Sequence, residues 1–427
     1  MYNNPSDQAS HLYDLLSDIC TAPEDNYNHY QWIRPLKLPP GSEAEATFKI
    51  SVVEKSFLNH TKQRRQNQDI EELAKHWEII LLNLVYVMYQ RSWLVVPMNP
   101  DFYARDNYWT KRLGVSFLPM KTVIDCLRDH DFVECEEGNP NRDGEFSTRI
   151  SPRPSLMWFL WRYFLDIEQP IEPPYLIVKM PNYGWKEIRN LPRNHCETQE
   201  LNQINEFLKD QKWACKAPMQ LKFENPAFEG GRLSTPFQDL PGRRIKLRIN
   251  TLINENPVGE VNFSANQLRL NLAVNGGIPA GDTPYENIAD AAGISGTEKK
   301  AREKAKRFII LAMRSSDKEE TRSICLATGI DNDLFDALCF TTQKLYPKLD
   351  LFSGWGIHAQ KLEGKILKKM ILEGIKKDVV CLPVHDAVVV QQEHLKWAED
   401  AMLECWDRQM ETSGFARVKV DLPNEGK

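Results

Sequence analysis

The feature that most constrains the fold is a pair of apolar, β-prone runs around one charged step. Val379-Val380-Cys381-Leu382-Pro383-Val384 enters His385-Asp386, and Ala387-Val388-Val389-Val390 leaves it. Two such runs joined by two polar residues read as a hairpin with His385 and Asp386 at its tip. A carboxylate buried there without a partner is costly. A metal ion, or a tip open to solvent, removes that cost. Ahead of the hairpin, Gln360 opens a helix striped by Leu362, Ile366, Leu367, Met370 and Ile371, and Gly374 is placed to end it.

Three further segments carry candidate chemistry. Gly231-Arg232-Leu233-Ser234, followed by Pro236, Gln238 and Pro241, taken alone is a turn into a strand. Val258 to Phe263 alternates as a strand, which places Glu260 and Asn262 on one side. A short helix from Gln267 to Val274 follows it. The run from Lys299 to Arg307 holds six basic residues in nine positions. Arg302 and Lys306, four apart, share a helical face and can grip a triphosphate. Taken alone, a charge run of this kind is a solvated surface helix.

The first half of the chain has a different rhythm. Residues 1–60 hold a short apolar stretch, Leu12 to Ile19, with no assignable role. Residues 69–93 form one long helix on the spacing of Leu73, Trp77, Ile80, Leu81, Leu84, Val87 and Met88. A short helix ends near Leu113, and a second from Ser116 presents Met120, Val123, Ile124 and Leu127. Strands at Phe132–Cys135 and Phe146–Ile150 flank the turn residues 139–144. Residues 61–165 therefore resemble a winged-helix module. That resemblance implies duplex contact through Lys121, Arg128, Arg142 and Arg149. Residues 91–155 nevertheless carry nine Lys/Arg against ten Asp/Glu, so no basic footprint stands out and a packing role is equally open. Residues 166–224 are expected to be a Pro-rich connector ending in a polar helix near 197–212.

Composition adds little beyond this. The net charge of -5 neither requires nor excludes a nucleic-acid partner, because only a groove must be positive. Nine scattered cysteines without a C-x-x-C pair point to reduced thiols and a cytoplasmic location. No apolar run reaches membrane-spanning length, so no membrane partner is expected.

In order and spacing, the four motifs of residues 225–427 resemble the family A DNA polymerases. GGRLSTPFQDLP is similar to the family's T-G-R-L-S-S and P-x-L-Q-N-I-P. NFSANQLR at 262–269 is similar to motif A, D-Y-S-Q-I-E-L-R. Arg302 and Lys306 match the R-x-x-x-K of motif B. QKLEGKILKK at 360–369 is similar to the Q-led helix, and Val384-His385-Asp386-Ala387 to motif C, V-H-D-E. The resemblance implies an α+β fold: a right-hand palm with a mostly antiparallel sheet, helical fingers at about 275–345, and the helical, winged-helix region before them. It implies template-directed nucleotidyl transfer, by attack of a 3′-hydroxyl on an α-phosphate, in phage, plasmid or mobile-element DNA replication. Asp386 and position 262 would bind two Mg2+ ions, Arg302, Lys306 and Gln267 would contact the incoming nucleotide, and Arg232, Gln360 and His385 the primer–template. The implied partners are nucleic acid, nucleoside triphosphates and an accessory replication protein.

The chain departs from that pattern at four places. Asn262 replaces the motif A aspartate, and Gln267 replaces the glutamate that helps exclude ribonucleotides. Ile310 and Arg314 replace the motif B aromatics, and Ala387 replaces the second motif C acid. Three explanations of Asn262 stand: an introduced inactivating substitution, a pseudo-enzyme, or a site in which Glu260 supplies the missing charge. The alternatives to a DNA polymerase are an RNA polymerase or primase on the same palm, a catalytically dead primer–template-binding protein, and a winged-helix regulator.

Overall fold

The computed structural model describes residues 30–58, 67–89, 92–104, 113–138, 147–168, 175–180, 184–187, 196–225, 227–240 and 246–423. It is a mixed α+β fold with small, mostly antiparallel sheets. Among the described residues no helix is long and apolar enough to cross a membrane. The chain divides into two compact units. One comprises Met1–Ile171 with Ala214–Ala217 and Asp239–Arg244, and the other comprises Glu172–Trp213, Pro218–Gln238 and Ile245–Lys427.

The first unit runs through β1 (Tyr30–Trp32), α1 (Glu43–Thr47) and a wide π-helical stretch, Phe48–Phe57. Next come α2 (Asn67–Tyr89), β2 (Trp93–Val95), α3 (Pro100–Ala104) and α4 (Phe117–Asp129). β3 (Val133–Glu136), β4 (Arg149–Pro152) and α5 (Pro154–Leu160) close it. All seven apolar residues that define the long helix are buried, together with Leu82 and Val85. The last turns of α2 are therefore enclosed on every side, and α2 packs on α4 and β4. Its one buried histidine is satisfied on both nitrogens. His76 Nδ1 meets Glu72 O at 2.7 Å, and Nε2 accepts the Ser116 amide at 2.9 Å. Burial holds the ring below its ordinary pKa, which keeps it neutral and able to accept.

The sheet order is β1-β2-β4-β3, parallel only between β1 and β2. β4 thus lies between two neighbours, and this bears on the duplex-contact residues. Arg149 pairs in register with Val95 and Glu136 and is buried, so it has no surface to offer a duplex. Lys121 forms an ion pair with Asp125, and Arg128 pairs with the same Asp125 at 3.1 Å and with Glu137 at 3.4 Å. Arg142 lies outside the described residues.

The second unit begins inside the expected connector. β5 (Leu176–Met180) and β6 (Gly184–Glu187) precede α6 (Cys196–Lys209), β7 (Gln220–Phe223) and β8 (Gly230–Ser234). They form the sheet β6-β5-β7-β8. Leu176-Ile177-Val178 is a short apolar run hidden between prolines, which is why composition alone reads it as a loop. Then come β9 (Leu252–Ile253), β10 (Asn256–Phe263) and α7 (Asn266–Val274). A helical layer follows: α8 (Pro284–Ala291), α9 (Glu298–Arg314), α10 (Lys318–Ala327) and α11 (Asn332–Leu345). The chain ends with α12 (Gly356–Lys376), β11 (Leu382–Val384), β12 (Ala387–Gln391), α13 (Leu395–Met410) and β13 (Val418–Asp421). The second sheet, β11-β12-β10-β13, is antiparallel throughout.

Gly374 does not end α12, which runs two residues past it. A Cβ there would lie 2.7 Å from Cys381 Sγ and 2.9 Å from the Val379 carbonyl. The glycine serves a close approach of the helix to the segment entering β11.

Candidate functional site

Strand register builds the centre of the site. β10 and β12 pair so that Asn262 lies opposite Ala387 and Glu260 opposite Val389. The Phe263 amide donates to the Asp386 carbonyl at 3.3 Å. Asn262 is therefore next to Asp386, although 124 positions separate them in the chain (386 − 262). β11 and β12 leave only His385 and Asp386 between them, and His385 takes φ +56°, a left-handed conformation at the exposed tip. A tight tip holds the Asp386 backbone against the end of β10.

Just beyond β10 the chain turns sharply and is locked by one arginine. Arg269, 1% exposed, donates to the carbonyls of Ser264, Ala280, Gly281 and Phe415 at 2.6–2.9 Å. Its role is to seal loops, since four of its five N–H donors are spent on backbone carbonyls. The same turn starts α7 and presents Asn266 and Gln267.

Two glycines set the other wall. A Cβ on Gly364 would lie 1.9 Å from the Gly231 carbonyl, so α12 and β8 touch backbone to backbone. That approach brings Glu363 to Arg232, with Nη2 and Oε2 3.7 Å apart. It also aligns Gln360, one turn earlier, on the face turned to β8. Four polar atoms on this wall and its following turn are buried without a hydrogen-bond partner: Arg232 Nε, Thr235 Oγ1, Gln238 Oε1 and Gln360 Oε1. Orphaned buried polar atoms cost free energy, and four of those among the described residues fall on this wall.

The carboxylates are unequal. Glu260 is buried and bound two-pronged by Arg248, with Nε to Oε2 at 2.7 Å and Nη2 to Oε1 at 3.1 Å. Glu363, 4% exposed, accepts from Asn266 Nδ2 at 3.3 Å, and the Gln267 side chain lies near it. Burial, then repulsion from Asp386, pushes its carboxyl up to about 7, against the pull of Arg232. Half-buried Asp386 is also raised, by burial first and by Glu260, while Arg232 and Lys306 oppose the shift. Glu260, Glu363, Arg232 and Lys306 are thus each within electrostatic reach of Asp386.

The two cations of α9 are held differently. Lys306 is half-buried, has no ion pair among the described residues, and acts on Asp386 through space. Arg302 is tied to Glu286 of α8 at 2.7 Å and to Glu303 at 2.9 Å, with its guanidinium 5.7 Å from the centre of the Tyr285 ring. Tyr285 is buried and raised in pKa, by burial first and then by Asp386. Ile310 and Arg314 lie further along the same helix.

The structure therefore brings together Arg232, Glu260, Asn262, Gln267, Lys306, Gln360 and Asp386. His385 stands at the tip and Arg302 is engaged elsewhere. Sequence reasoning missed Glu363, Arg248, Tyr285 and Glu286. Only Glu363 had a readable signal, as an acid one turn from Gln360 and adjacent to a helical glycine. Arg248 carries no motif, since its importance comes from the fold of a loop onto β10.

The donor set can be tested against the implied pair of magnesium ions. Magnesium favours charged oxygen ligands in octahedral geometry. Asp386 offers one carboxylate and Asn262 a neutral carbonyl. Arg248 occupies both oxygens of Glu260, and Asn266, Gln267 and Arg232 enclose Glu363. Among the described residues no group of three or more His, Cys, Asp or Glu side chains could hold a metal ion. These residues do not fit a two-ion centre. No protein-family model matches the chain, and no curated protein matches it.

Proposed function

We propose that the second unit is a polymerase-type palm and fingers that binds primer–template and nucleoside triphosphates, with nucleotidyl transfer suppressed by the neutral side chain at 262. The observation that carries this reading is the register that sets Asn262 beside Asp386. A sequence resemblance carries no strand register. A one-residue slip would turn Asn262 to the opposite face of the sheet.

The chain's own residues divide the work. Arg232, whose side chain is 30% exposed, presents its outer guanidinium nitrogens to the primer–template, with Gln360 on the same wall. Lys306, close to Asp386, grips phosphate. Gln267 stands where the resembling polymerases carry a glutamate, and it lies near Glu363. That favours weak discrimination between ribo- and deoxynucleotides, and it keeps an RNA-synthesising relative of the same palm in view. The regulator reading draws less support, because Lys121 and Arg128 are neutralised by acids on their own surface.

The test is primer extension with deoxy- and ribonucleotides, alongside primer–template binding. The unaltered chain should bind primer–template and extend it barely. Asn262→Asp should raise extension at least a hundredfold, roughly 3 kcal/mol of barrier. Failure of that variant with both nucleotide types, together with absent primer–template binding, would refute the reading. Binding without restored extension would leave a primer–template-binding protein.

A further inference from the structure

Arg302 and Lys306 lie about one turn apart on α9, about 6 Å along its axis, yet they meet different surroundings. Lys306 is left without an ion pair among the described residues and faces the side of Asp386. Arg302, toward the helix N-terminus, is clasped from α8 by two consecutive residues. Glu286 takes its Nε at 2.7 Å, and the Tyr285 ring lies 5.7 Å from its guanidinium. The Arg302 and Glu286 side chains are 34% and 24% exposed, so the pair is partly shielded from water yet open enough to exchange partners. Glu303 also contacts Arg302, at 2.9 Å, but it is the adjacent residue and is 56% exposed.

We propose that Glu286 is a built-in competitor for the terminal phosphate of the nucleotide, occupying Arg302 in the free protein and giving way when a nucleoside triphosphate enters. This rests on the reading of α9 as the nucleotide-gripping helix. A ligand anchored near Asp386 meets Lys306 first. Only its far end, one turn further out, reaches Arg302. That contact exchanges a carboxylate for a phosphate oxygen on the same guanidinium, so its net gain is small. Glu286 thereby sets how strongly the protein favours a triphosphate over a diphosphate.

The test uses the full chain with primer–template and fluorescent nucleoside tri- and diphosphates. Glu286→Gln should tighten triphosphate binding about fivefold or more and change diphosphate binding less than about twofold, since a charge-assisted contact is then gained without a competitor. Structural damage would not tighten binding. Glu303→Gln should shift either ligand less than about twofold, as expected of an exposed pair. In an Arg302→Ala background the effect of Glu286→Gln should disappear, which a double-mutant cycle reads directly. If Lys306→Ala weakens nucleotide binding while Glu286→Gln fails to tighten the triphosphate, the competitor is refuted and the fingers reading survives. If neither nucleotide binds the chain and Lys306→Ala changes nothing, both are refuted.

Discussion

The two units treat the charged side chains of their candidate sites differently. In the first, charged groups on the candidate recognition helix are answered locally. Asp125 sits between Lys121 and Arg128 at helical spacing and engages both, while His76 and Asn83 are satisfied inside the core. In the second, Lys306 and Arg232 converge on Asp386, and Lys306 has no ion pair among the described residues. Both units carry basic helices, so the number of cations does not distinguish them. The position of the acids does. An acid on the same face turns a basic helix into a satisfied surface, whereas one displaced from it leaves a cation for a ligand.

The largest effect that would sharpen this contrast is at Asp386. In the Asn262→Asp background, Asp386→Asn should remove extension by at least a hundredfold, on the scale of several kcal/mol of transition-state stabilisation. Glu260→Gln should behave differently. It removes the carboxylate that neutralises the mostly enclosed Arg248, and its main result should be a loss of about 3–5 kcal/mol of stability, read by denaturant unfolding. Loss of extension with unchanged stability in Glu260→Gln would instead place Glu260 in the reaction.

A smaller effect is expected at Lys306. Lys306→Ala should weaken nucleotide binding by about 1.5–3 kcal/mol, roughly tenfold to a hundredfold, with primer–template binding nearly unchanged. Equal weakening of both ligands would mean that α9 is a general basic surface like any other.

Next is the pH response of Glu363. Its carboxyl is raised from an ordinary 4.5 to about 7 in the fold, so the folded state holds this proton more tightly than the unfolded chain. The stability contributed by that proton is fully present below about 4.5 and is lost as pH rises through about 7. Glu363→Gln should flatten this part of the stability profile by about 1–3 kcal/mol. An unaltered slope would show that another group titrates there.

The smallest effect belongs to the first unit. Lys121→Ala with Arg128→Ala should change duplex binding by the chain less than about twofold, because both cations are already paired. A tenfold loss would break the contrast and return the helix to a recognition role.

Much of this was legible in the chain. The apolar spacing of α2, the four buried positions of α4, the hairpin at His385-Asp386 and the apolar stripe of the helix carrying Gln360 each follow from local periodicity, although that helix opens at Gly356 and not at Gln360. Periodicity works there because each element buries one face or one run, and burial is written in the identities of neighbouring residues. It failed for β5, whose short run is hidden among prolines, and for Gly374, where a nearby carbonyl rather than a helix end requires the missing Cβ.

The sequence by itself determined which side chains exist at the site and the elements that carry them: a strand with Glu260 and Asn262, a basic helix with Arg302 and Lys306, and a hairpin tipped by Asp386. Only the tertiary structure decided which of their charges remain usable. Arg248 takes Glu260, Glu286 takes Arg302, and the contact of Gly364 with Gly231 brings Glu363 to Arg232. These pairings depend on loops and helices folding onto strands and on one another, and no periodicity encodes them. A charge's partner is chosen by distance in space, while sequence pattern reports only distance along the chain.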